Sequence, residues 1–352
     1  MTVELHDRVW EALRTVPYPG YRRDVVSFGL VQKVTAQTGV VGVALAVAHL
    51  PPAVQEELER EVRRAVLALP GVRAVEVVRV APPGLRRVAP TERLPRGDRP
   101  LAARVLGVAS GKGGVGKSTV TANLAAAMAA EGLKAGILDA DVYGFSIARM
   151  MGVREAPELR EGRIVPAVRR GVQVVTMGML VGPQEAVVWR GPMLHKALRT
   201  FLHEVAWEDL DVLLLDLPPG TGDVALTVAQ ELPYAEWLVV TTPQPAAVEV
   251  ALRAGRMAEK VNLKVAGVVE NLSWYRPLPG GSVLRPFGEG GGQEAAARLG
   301  VPLLAQIPLD PAVRECADRG EPVVWAEPDR EVSRRFRELA RVVVPRQVAQ
   351  RR

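Results

Sequence analysis

Residues 111–119 read GKGGVGKST, a glycine-rich segment that strongly restricts how the surrounding chain can fold. Gly111 through Ser118 match the pattern G-x-x-x-x-G-K-[ST], in which glycines free backbone N–H groups to surround phosphate oxygens. Lys117 adds a positive charge, and the loop carries a second lysine, Lys112, that the general pattern does not require. The segment predicts a nucleotide-binding loop made of Gly111, Lys112, Gly113, Gly114, Val115, Gly116, Lys117, Ser118 and Thr119.

The flanks of this loop have the strand and the helix that a phosphate-binding loop needs. Residues 104–109 (RVLGVA), apolar except for Arg104, have the length of a short buried strand, and residues 120–130 are rich in alanine, the best helix former. Further strand-like runs alternate with helical stretches at 134–138, 172–177, 212–215, 237–241, 265–269 and 302–306. Near-continuous apolar strands separated by helices predict an α/β fold of the P-loop NTPase type, with a mostly parallel sheet covered by helices on both faces.

The N-terminal part of the chain predicts a separate small α/β domain over residues 1–80. It has two helical and three strand-like stretches, at 3–15, 52–69, 29–36, 40–48 and 72–80. Residues 81–103 are rich in proline and charge and have no apolar period, which is typical of an extended linker. The P-loop domain then occupies residues 104–352.

Composition narrows the class of protein further. Apolar residues make up 48% of the chain and charged residues 24%, and no apolar run approaches the roughly 20 residues of a membrane span. Because the N-terminus does not resemble a secretory signal, we expect a cytoplasmic protein without a membrane partner. The net charge of +6 comes from dispersed arginines, so no stable nucleic-acid partner is expected. A single cysteine, Cys316, excludes a disulfide framework and a cysteine-rich metal site within one chain.

Three aspartates directly follow two of the predicted strands. Asp139 and Asp141 lie in DADVYGFS, and Asp216 follows the run VLLL and opens the segment DLPPGTGD. Carboxylates at strand ends can hold the waters of Mg²⁺ or orient an attacking water. Asp216 is placed as a Walker-B-type ligand that reaches Mg²⁺ through water, whereas the structural alternative for Asp139 is the capping of a turn.

Several long motifs carry a resemblance to one family. They are GKGGVGKST (111–119), DADVYGFSIARMMG (139–152), WRGPMLHKAL (189–198), DLPPGTGD (216–223), TTPQ (241–244), ENLS (270–273), FGEGGG (287–292) and IPLDPAVRE (307–315). Through them the chain resembles the deviant-Walker-A ATPases, and specifically the Mrp/ApbC family of iron–sulfur cluster carriers. The N-terminal unit, with GLVQKVTAQTGVVGVALAV and LPGVRAVEVV, is similar to a small domain that often precedes these ATPases and recurs in iron–sulfur assembly factors.

This resemblance implies a slow ATPase that binds ATP and Mg²⁺ and works as a homodimer, with iron–sulfur assembly or client proteins as partners. Lys112 would reach across to phosphates bound by the other subunit, like a cationic finger supplied in trans. Asp141 would position the attacking water, so the implied catalytic residues are Lys112, Lys117 and Asp141. The implied Mg²⁺ site consists of Ser118 as a direct ligand, with Asp139 and Asp216 in the outer shell.

The resemblance also implies where the adenine ring is recognised. Asn271 and the loop with Pro308 and Asp310 would contact the base by family position. Asparagine suits that task because its amide offers both a donor and an acceptor. The structural alternative for Asn271 is a turn residue at a strand end.

The chain departs from the family at the cluster ligands. Carriers of this family have a C-x-x-C pair between ENLS and FGEGGG, and its two positions fall here on Pro277 and Gly280. Because neither residue has a side-chain donor atom, the family's bridging cluster is not expected at this place. Cys316 lies far along the sequence, and a lone cysteine is usually a small buried apolar residue. Two explanations stay open: a role without a bound cluster, or a cluster with borrowed ligands.

A second function remains open from the sequence: a nucleotide-gated positioning switch like ParA or MinD, which binds membrane or DNA. Its evidence is the C-terminal segment from 330 onward, where Val332, Phe336, Leu339 and Val343 form an apolar stripe between arginines. Such a helix can lie on anionic lipid. The stripe is also typical of a closing helix that packs on its own sheet, and we expect that packing.

Overall fold

The structure of the chain is a computed structural model that describes residues 2–17, 24–27, 30–37, 39–47, 52–80, 86–87, 100–141, 146–155, 158–160, 162–176, 191–220, 223–278 and 281–344. Its Cα positions divide into two compact units, Met1–Arg87 and Val88–Arg352. Most of the predicted linker and Gly280 lie outside the described residues.

The first unit is a small α/β domain. Its elements are α1 (Thr2–Leu13), β1 (Val31–Gln37), β2 (Val40–Leu45), α2 (Pro52–Leu67), β3 (Ala74–Arg79) and β4 (Arg86–Arg87). The strand order is β1-β2-β3, in which β1 is antiparallel and β3 parallel to β2. Alternate residues of β2, such as Val41 and Val43, are buried against Leu58 and Val62 of α2 and Val9 of α1. The period of two along β2 and the amphipathic helices therefore produce one core.

The second unit contains an eight-stranded sheet among its described residues, with the order β14-β13-β12-β5-β11-β6-β10-β9. Its strands are β5 (Ala102–Ser110), β6 (Ala135–Asp139), β9 (Ala167–Arg169), β10 (Val172–Thr176), β11 (Leu210–Asp216), β12 (Glu236–Thr241), β13 (Lys264–Glu270) and β14 (Leu303–Gln306). All neighbours are parallel except β9 and β10. A short antiparallel pair, β7 (Glu158–Arg160) with β8 (Arg163–Val165), precedes β9.

Strand β5 begins inside the segment that the sequence assigns to the linker. Ala102 pairs with Leu210 of β11 and is buried, which extends the strand beyond the apolar run at 104–109. Pairing with β11 sets the start of β5, because small residues such as Ala102 and Ala103 have no strong preference for a strand of their own.

Helices cover both faces of the sheet, and the predicted fold class is confirmed. The helices are α3 (Lys117–Ala130), α4 (Ile147–Met150), α5 (Gly191–Glu204), α6 (Asp223–Glu231), α7 (Pro245–Lys260), α8 (Gly291–Leu299), α9 (Pro311–Arg319), α10 (Val323–Ala326) and α11 (Glu331–Val343). Successive residues of β5 enter opposite cores: Val105 joins the core with α5 to α8, and Leu106 joins the core with α3, α9 and α11. Strands buried on both faces explain the near-continuous apolar runs in the sequence.

The C-terminal helix α11 packs on its own domain. Val332, Phe336 and Leu339 are 0% exposed and Val343 is 2% exposed, in the same core as α3. The apolar stripe that the sequence left open as a lipid-binding face is therefore occupied by intramolecular packing. Burial removes these large apolar side chains from water, and the free energy gained favours packing on the domain over an exposed position for this helix.

Candidate nucleotide-binding site

The glycine-rich loop joins β5 to α3 and has the backbone conformation that only glycine adopts easily. Gly114 and Gly116 have φ angles of 83° and 81°. A Cβ atom on Gly116 would lie 2.2 Å from Nδ2 of Asn271, and one on Gly111 would lie 2.1 Å from the backbone of Val250. Close approach therefore requires glycine at Gly111, the positive φ favours it at Gly114, and both reasons apply at Gly116. The loop leads directly into the N-terminus of α3, where a phosphate is favoured.

Lys117 opens helix α3 and points into a cluster of carboxylates. Its Nζ donates a hydrogen bond to Oδ2 of Asp216 over 2.7 Å and lies 3.7 Å from Oδ2 of Asp141. The lysine side chain is 6% exposed and that of Asp216 is fully buried. A buried ammonium needs such partners because desolvation of an unpaired charge is expensive. The ion pair keeps Lys117 beside the loop, where phosphate oxygens can accept the same N–H donors.

Asp216 is held in one orientation by three donors. Ser118 Oγ and Lys117 Nζ donate to its Oδ2 over 2.6 Å and 2.7 Å, and Thr121 Oγ1 donates to its Oδ1 over 2.7 Å. Parallel register also sets Asp216 of β11 directly beside Asp139 of β6. The structure therefore brings together the residues that the sequence predicts as a Mg²⁺ site, although they come from separate strands and a helix.

Asp139 is the least satisfied member of this group. Its Oδ1 accepts the backbone N–H of Asp141 over 3.0 Å, while its Oδ2 is buried and has no hydrogen-bond partner among the described residues. Burial raises the pKa of Asp139 well above its ordinary value, and the negative charge of Asp216 raises it further, against the opposing effects of the Asp141 N–H and Lys117. A divalent cation would supply the positive charge that this pair of carboxylates lacks, so the donor set fits Mg²⁺.

Asn271 contacts the P-loop from the end of β13. It is 4% exposed, and its Nδ2 donates to the carbonyl oxygen of Val115 over 2.9 Å. The side chain thus fixes the loop's backbone across a large sequence separation. Recognition of adenine by Asn271 stays a prediction, since the amide oxygen can still accept from a base.

The loop after β14 is also ordered by local bonds. Pro308 is buried, and Asp310 caps α9 by accepting the N–H of Ala312 over 3.0 Å. Its other oxygen lies 3.3 Å from Nη1 of Arg330. The backbone N–H of Ser273 donates to Ile307 over 3.0 Å, which holds this loop beside Asn271. The predicted contact of Pro308 and Asp310 with adenine stays a prediction.

Two polar residues of the site region were not predicted from the sequence. Thr121 lies one helical turn after Lys117 and therefore on the same face of α3. A hydroxyl at this place in an alanine-rich helix could have indicated a further hydrogen bond to Asp216, which the structure shows. Glu270, at the end of β13, is 1% exposed and accepts hydrogen bonds from the N–H of Gly292 over 2.5 Å and from Gln306 Nε2 over 2.8 Å. Nothing in the segment ENLS of a single sequence indicates that Glu270 is buried and accepts these hydrogen bonds.

The region of the missing cysteines offers no metal site within the described residues. Pro277 is exposed, Gly280 lies outside the described part, and no group of three or more His, Cys, Asp or Glu side chains there could hold a metal ion. Cys316 lies in α9 at 0% exposure, with Nη2 of Arg319 at 3.2 Å from its Sγ. Burial raises the pKa of the Cys316 thiol, which opposes the thiolate form that metals bind.

Comparison with known proteins decides the family. A family model described as NUBPL iron-transfer P-loop NTPase matches residues 102–344, and one described as iron-sulfur cluster assembly protein matches residues 6–77. The chain belongs to the NUBPL iron-transfer P-loop NTPase family. An iron-sulfur cluster carrier protein of Mycobacterium leprae is 46% identical to this chain over 356 residues, covering 96% of this chain and 92% of the relative. The resemblance to Mrp/ApbC proteins is thereby confirmed.

Solved structures support the same fold for this chain. A nucleotide-binding protein of Archaeoglobus fulgidus, solved in complex with ADP, is 37% identical with a TM-score of 0.54, covering 62% of this chain and 87% of that chain. The cell division ATPase MinD of Pyrococcus furiosus is 25% identical with a TM-score of 0.50, covering 68% and 98%. The family and the fold support ATP and Mg²⁺ as the predicted ligands of the loop. None of the described helices has both the length and the apolar character of a membrane span.

Proposed function

We propose that this protein binds ATP with Mg²⁺, hydrolyses it slowly as a homodimer, and works in the assembly or transfer of iron–sulfur clusters in the cytoplasm. The observation that supports this most directly is the hydrogen-bonded cluster of buried Lys117, half-buried Ser118 and buried Asp216 at the P-loop, in a member of an iron-transfer family. The chemistry of such a site is phosphoryl transfer to water, which depends on positioning and on electrostatic stabilisation.

The Mg²⁺ ion would be held by Ser118 and, through water, by Asp139 and Asp216. When bound, it would neutralise charge on the phosphates. Lys117 would exchange its bond to Asp216 for bonds to phosphate oxygens, because both acceptors lie at the same end of α3. Asp141 is 8% exposed, and its carboxylate would accept a hydrogen bond from the attacking water and orient it.

Lys112 is suited to act on a second subunit. Its side chain is partly exposed, and its ammonium group has no hydrogen-bond or ion-pair partner among the described residues, unlike that of Lys117. A cation left unpaired at the rim of a phosphate loop can bind phosphates across a dimer interface. We therefore assign Lys112 the trans contact and Lys117 the contact within its own subunit.

The test is phosphate release with Mg²⁺-ATP by the full chain and its lysine variants. We expect Lys117→Ala to lose hydrolysis and bind ATP weakly, and Lys112→Ala to lose hydrolysis while it retains ATP. Lys134→Ala is the matched control, since Lys134 is exposed and pairs only with Asp209 over 3.5 Å among the described residues. A mixture of the Lys112 and Lys117 variants should recover part of the activity, because the mixed dimer has one complete site. Unchanged turnover in Lys117→Ala would refute the site, and absence of recovery would refute the trans assignment.

The cluster-related part of the function has its own test. Because Pro277 and Gly280 have no side-chain donor atoms and the Cys316 thiol is buried, the purified protein should hold no stoichiometric cluster after anaerobic reconstitution with iron and sulfide. Visible absorbance and iron analysis measure this directly. A bound cluster would show that groups other than the family's cysteine pair serve as its ligands. Loss of that cluster in Cys316→Ser would identify the Cys316 thiol as one of these ligands.

The alternative of a ParA-like or MinD-like positioning switch has less support. Its sequence evidence was the apolar stripe of α11, which is buried in the domain core. Co-sedimentation with anionic liposomes and with DNA, with and without ATP, separates the two functions. ATP-dependent binding to either would favour the switch over the carrier-type function.

A further inference from the structure

Strand β13 ends in a turn whose first two side chains contact different parts of the domain. Glu270 is the last residue of β13, and Asn271 follows it. Nδ2 of Asn271 donates to the Val115 carbonyl of the phosphate-binding loop over 2.9 Å. The side-chain oxygens of Glu270 accept hydrogen bonds from the N–H of Gly292 in α8 and from Nε2 of Gln306 in β14. Two adjacent residues therefore join the phosphate-binding loop to α8 and β14.

The backbone of this turn has a conformation that is uncommon for its residue types. Leu272 has a φ of 57°, in the left-handed region that favours glycine. The following residue, Ser273, donates from its Oγ to the Glu270 carbonyl over 2.9 Å and from its N–H to the Ile307 carbonyl over 3.0 Å. An unfavourable backbone conformation persists only where the surrounding contacts fix it. The fold therefore holds the turn at 270–273 in one geometry.

Asn271 is packed closely against the phosphate-binding loop. It is 4% exposed, and a Cβ atom on Gly116 would lie 2.2 Å from its Nδ2. Gly116 directly precedes Lys117, the first residue of α3, and its carbonyl accepts the N–H of Val120 over 2.9 Å. Because little space separates the amide from Gly116, a displacement of Asn271 would disturb the backbone on which Lys117 is placed.

Glu270 is packed equally closely against the start of α8. It is 1% exposed, and a Cβ atom on Gly292 would lie 2.5 Å from the Glu270 Cβ. A Cβ atom on the preceding Gly291 would lie 2.4 Å from the Pro243 carbonyl oxygen. Burying a carboxyl group is costly unless its oxygens are hydrogen-bonded, and both oxygens of Glu270 are. The contacts with α8 and β14 therefore fix where the end of β13 lies.

We propose that Glu270 is a positioning residue of the nucleotide-binding site, which keeps Asn271 in the orientation that fixes the phosphate-binding loop. The two residues share one planar peptide unit, so loss of the Glu270 hydrogen bonds would displace Asn271 as well. The proposal rests on the ATP site assigned above and adds a residue without an assigned contact to the nucleotide. The effect concerns the phosphate end of the nucleotide, because Val115 and Gly116 belong to the loop that surrounds phosphate.

The test measures phosphate release from Mg²⁺-ATP and binding of inorganic tripolyphosphate, which has no base, by full-length variants. Glu270→Ala removes both acceptors and should raise KM at least about fivefold while kcat changes less than about twofold, because weakened binding of the ground state appears in KM. The dissociation constant of tripolyphosphate should rise by a similar factor. Glu270→Gln should stay near the native values, because its amide oxygen still accepts from Gly292 and the Gln306 amide can turn to accept from its N–H group.

A double-mutant cycle tests whether Glu270 acts through Asn271. Asn271→Ala should raise KM at least as much as Glu270→Ala, and combining the two should raise it less than about twofold further. Ser333→Ala is the control for a loss of stability alone. Ser333 is 0% exposed, and its Oγ donates to the carbonyls of Val323 and Glu327, in α10 and directly after it. This control should lower the melting temperature and leave KM unchanged.

A second variant keeps the test decisive if circular dichroism shows that Glu270→Ala does not fold. Gln306→Ala removes one of the two Glu270 hydrogen bonds at an exposed position and should raise KM in the same direction, by at least about twofold. Unchanged KM in Gln306→Ala would then overturn the proposal.

Four other results would overturn it. They are unchanged KM in folded Glu270→Ala, fully additive effects of the Glu270 and Asn271 substitutions, an equal loss in Glu270→Gln and Glu270→Ala, and weaker binding of ATP with unchanged binding of tripolyphosphate. The last result would assign the pair to recognition of the base. Failure of the native protein to bind either ligand would refute the ATP site itself and this proposal with it, and is distinguished by the native measurement alone.

Discussion

Replacing Asp139 with asparagine should stabilise the ligand-free protein while it impairs binding of Mg²⁺-ATP. Asp139 is 0% exposed, and its Oδ2 has no hydrogen-bond partner among the described residues. Asp216 lies beside it in the register of β6 and β11, so two carboxylates are adjacent, and of the two only Asp216 has a hydrogen bond to the Lys117 ammonium among the described residues. Asparagine keeps the shape and the Oδ1 that accepts the Asp141 N–H, and it exchanges the charged oxygen for an N–H donor.

The size of the effect follows from the cost of an unsatisfied buried group. That cost is about 1–3 kcal/mol and larger for a charged group, so neutralising Asp139 should add about 1 kcal/mol or more. For a domain of this size, each kcal/mol raises the melting temperature by about 2–4 °C. The gain should be confined to the ligand-free state, because bound Mg²⁺ would use the charge of Asp139 that asparagine lacks.

Scanning calorimetry of the full chain measures both effects. In EDTA the variant should melt about 2 °C or more above the native protein. With Mg²⁺ and a non-hydrolysable ATP analogue at about 100 times the dissociation constant, the native protein should gain about 2.7 kcal/mol, and the variant clearly less. Asp209→Asn is the control, because the Asp209 side chain is 90% exposed. If Asp139→Asn melts at or below the native temperature in EDTA, or retains the full ligand-induced gain, the assignment of Asp139 is refuted.

Two further predictions concern hydrogen bonds that the structure shows. Thr121→Val should lower the free energy of unfolding by about 1.5–3 kcal/mol in urea titration, because it removes the bond to Asp216, whereas Thr121→Ser should retain most of it. Burial by itself would raise the pKa of Glu236, but the hydrogen bond from Lys264 and the charge of Arg104 outweigh it and lower that pKa. The ionised carboxylate of Glu236 therefore stabilises the fold above its unfolded-state pKa. This stabilisation disappears as the pH falls through the folded-state pKa. Glu236→Gln should therefore lower the melting temperature at neutral pH and leave it nearly unchanged in strong acid; an equal loss at both would contradict the ion-pair explanation.

Much of the secondary structure could be predicted because the strands are buried on both faces. The run at 172–177 became Val172–Thr176, and the run at 237–241 became Glu236–Thr241. The short pair Glu158–Arg160 and Arg163–Val165 was not predicted. Strands of this length are too brief to show a period of two, and they form because they pair with each other.

The candidate site was predictable only where its residues are adjacent in sequence. The loop from Gly111 to Thr119 is one such stretch, and its chemistry follows from glycine conformation and lysine charge. The contact between Lys117 and Asp216 spans 99 positions, and the contact between Asn271 and Val115 spans 156. The contact between Lys117 and Asp216 arises from the strand order, which places β11 next to β5, the strand that leads into the loop, although many residues separate the two strands.

The sequence by itself determined the phosphate-binding loop and the lack of cysteines at 277 and 280, because each depends on residue types within a short stretch. It also determined the parallel α/β sheet, because apolar runs alternate with helical stretches along the domain. Only the tertiary structure decided that the stripe of α11 is buried and that Oδ2 of Asp139 has no hydrogen-bond partner among the described residues. Burial, pairing and local charge are properties of groups that meet in space, and a single sequence does not specify which distant groups will meet.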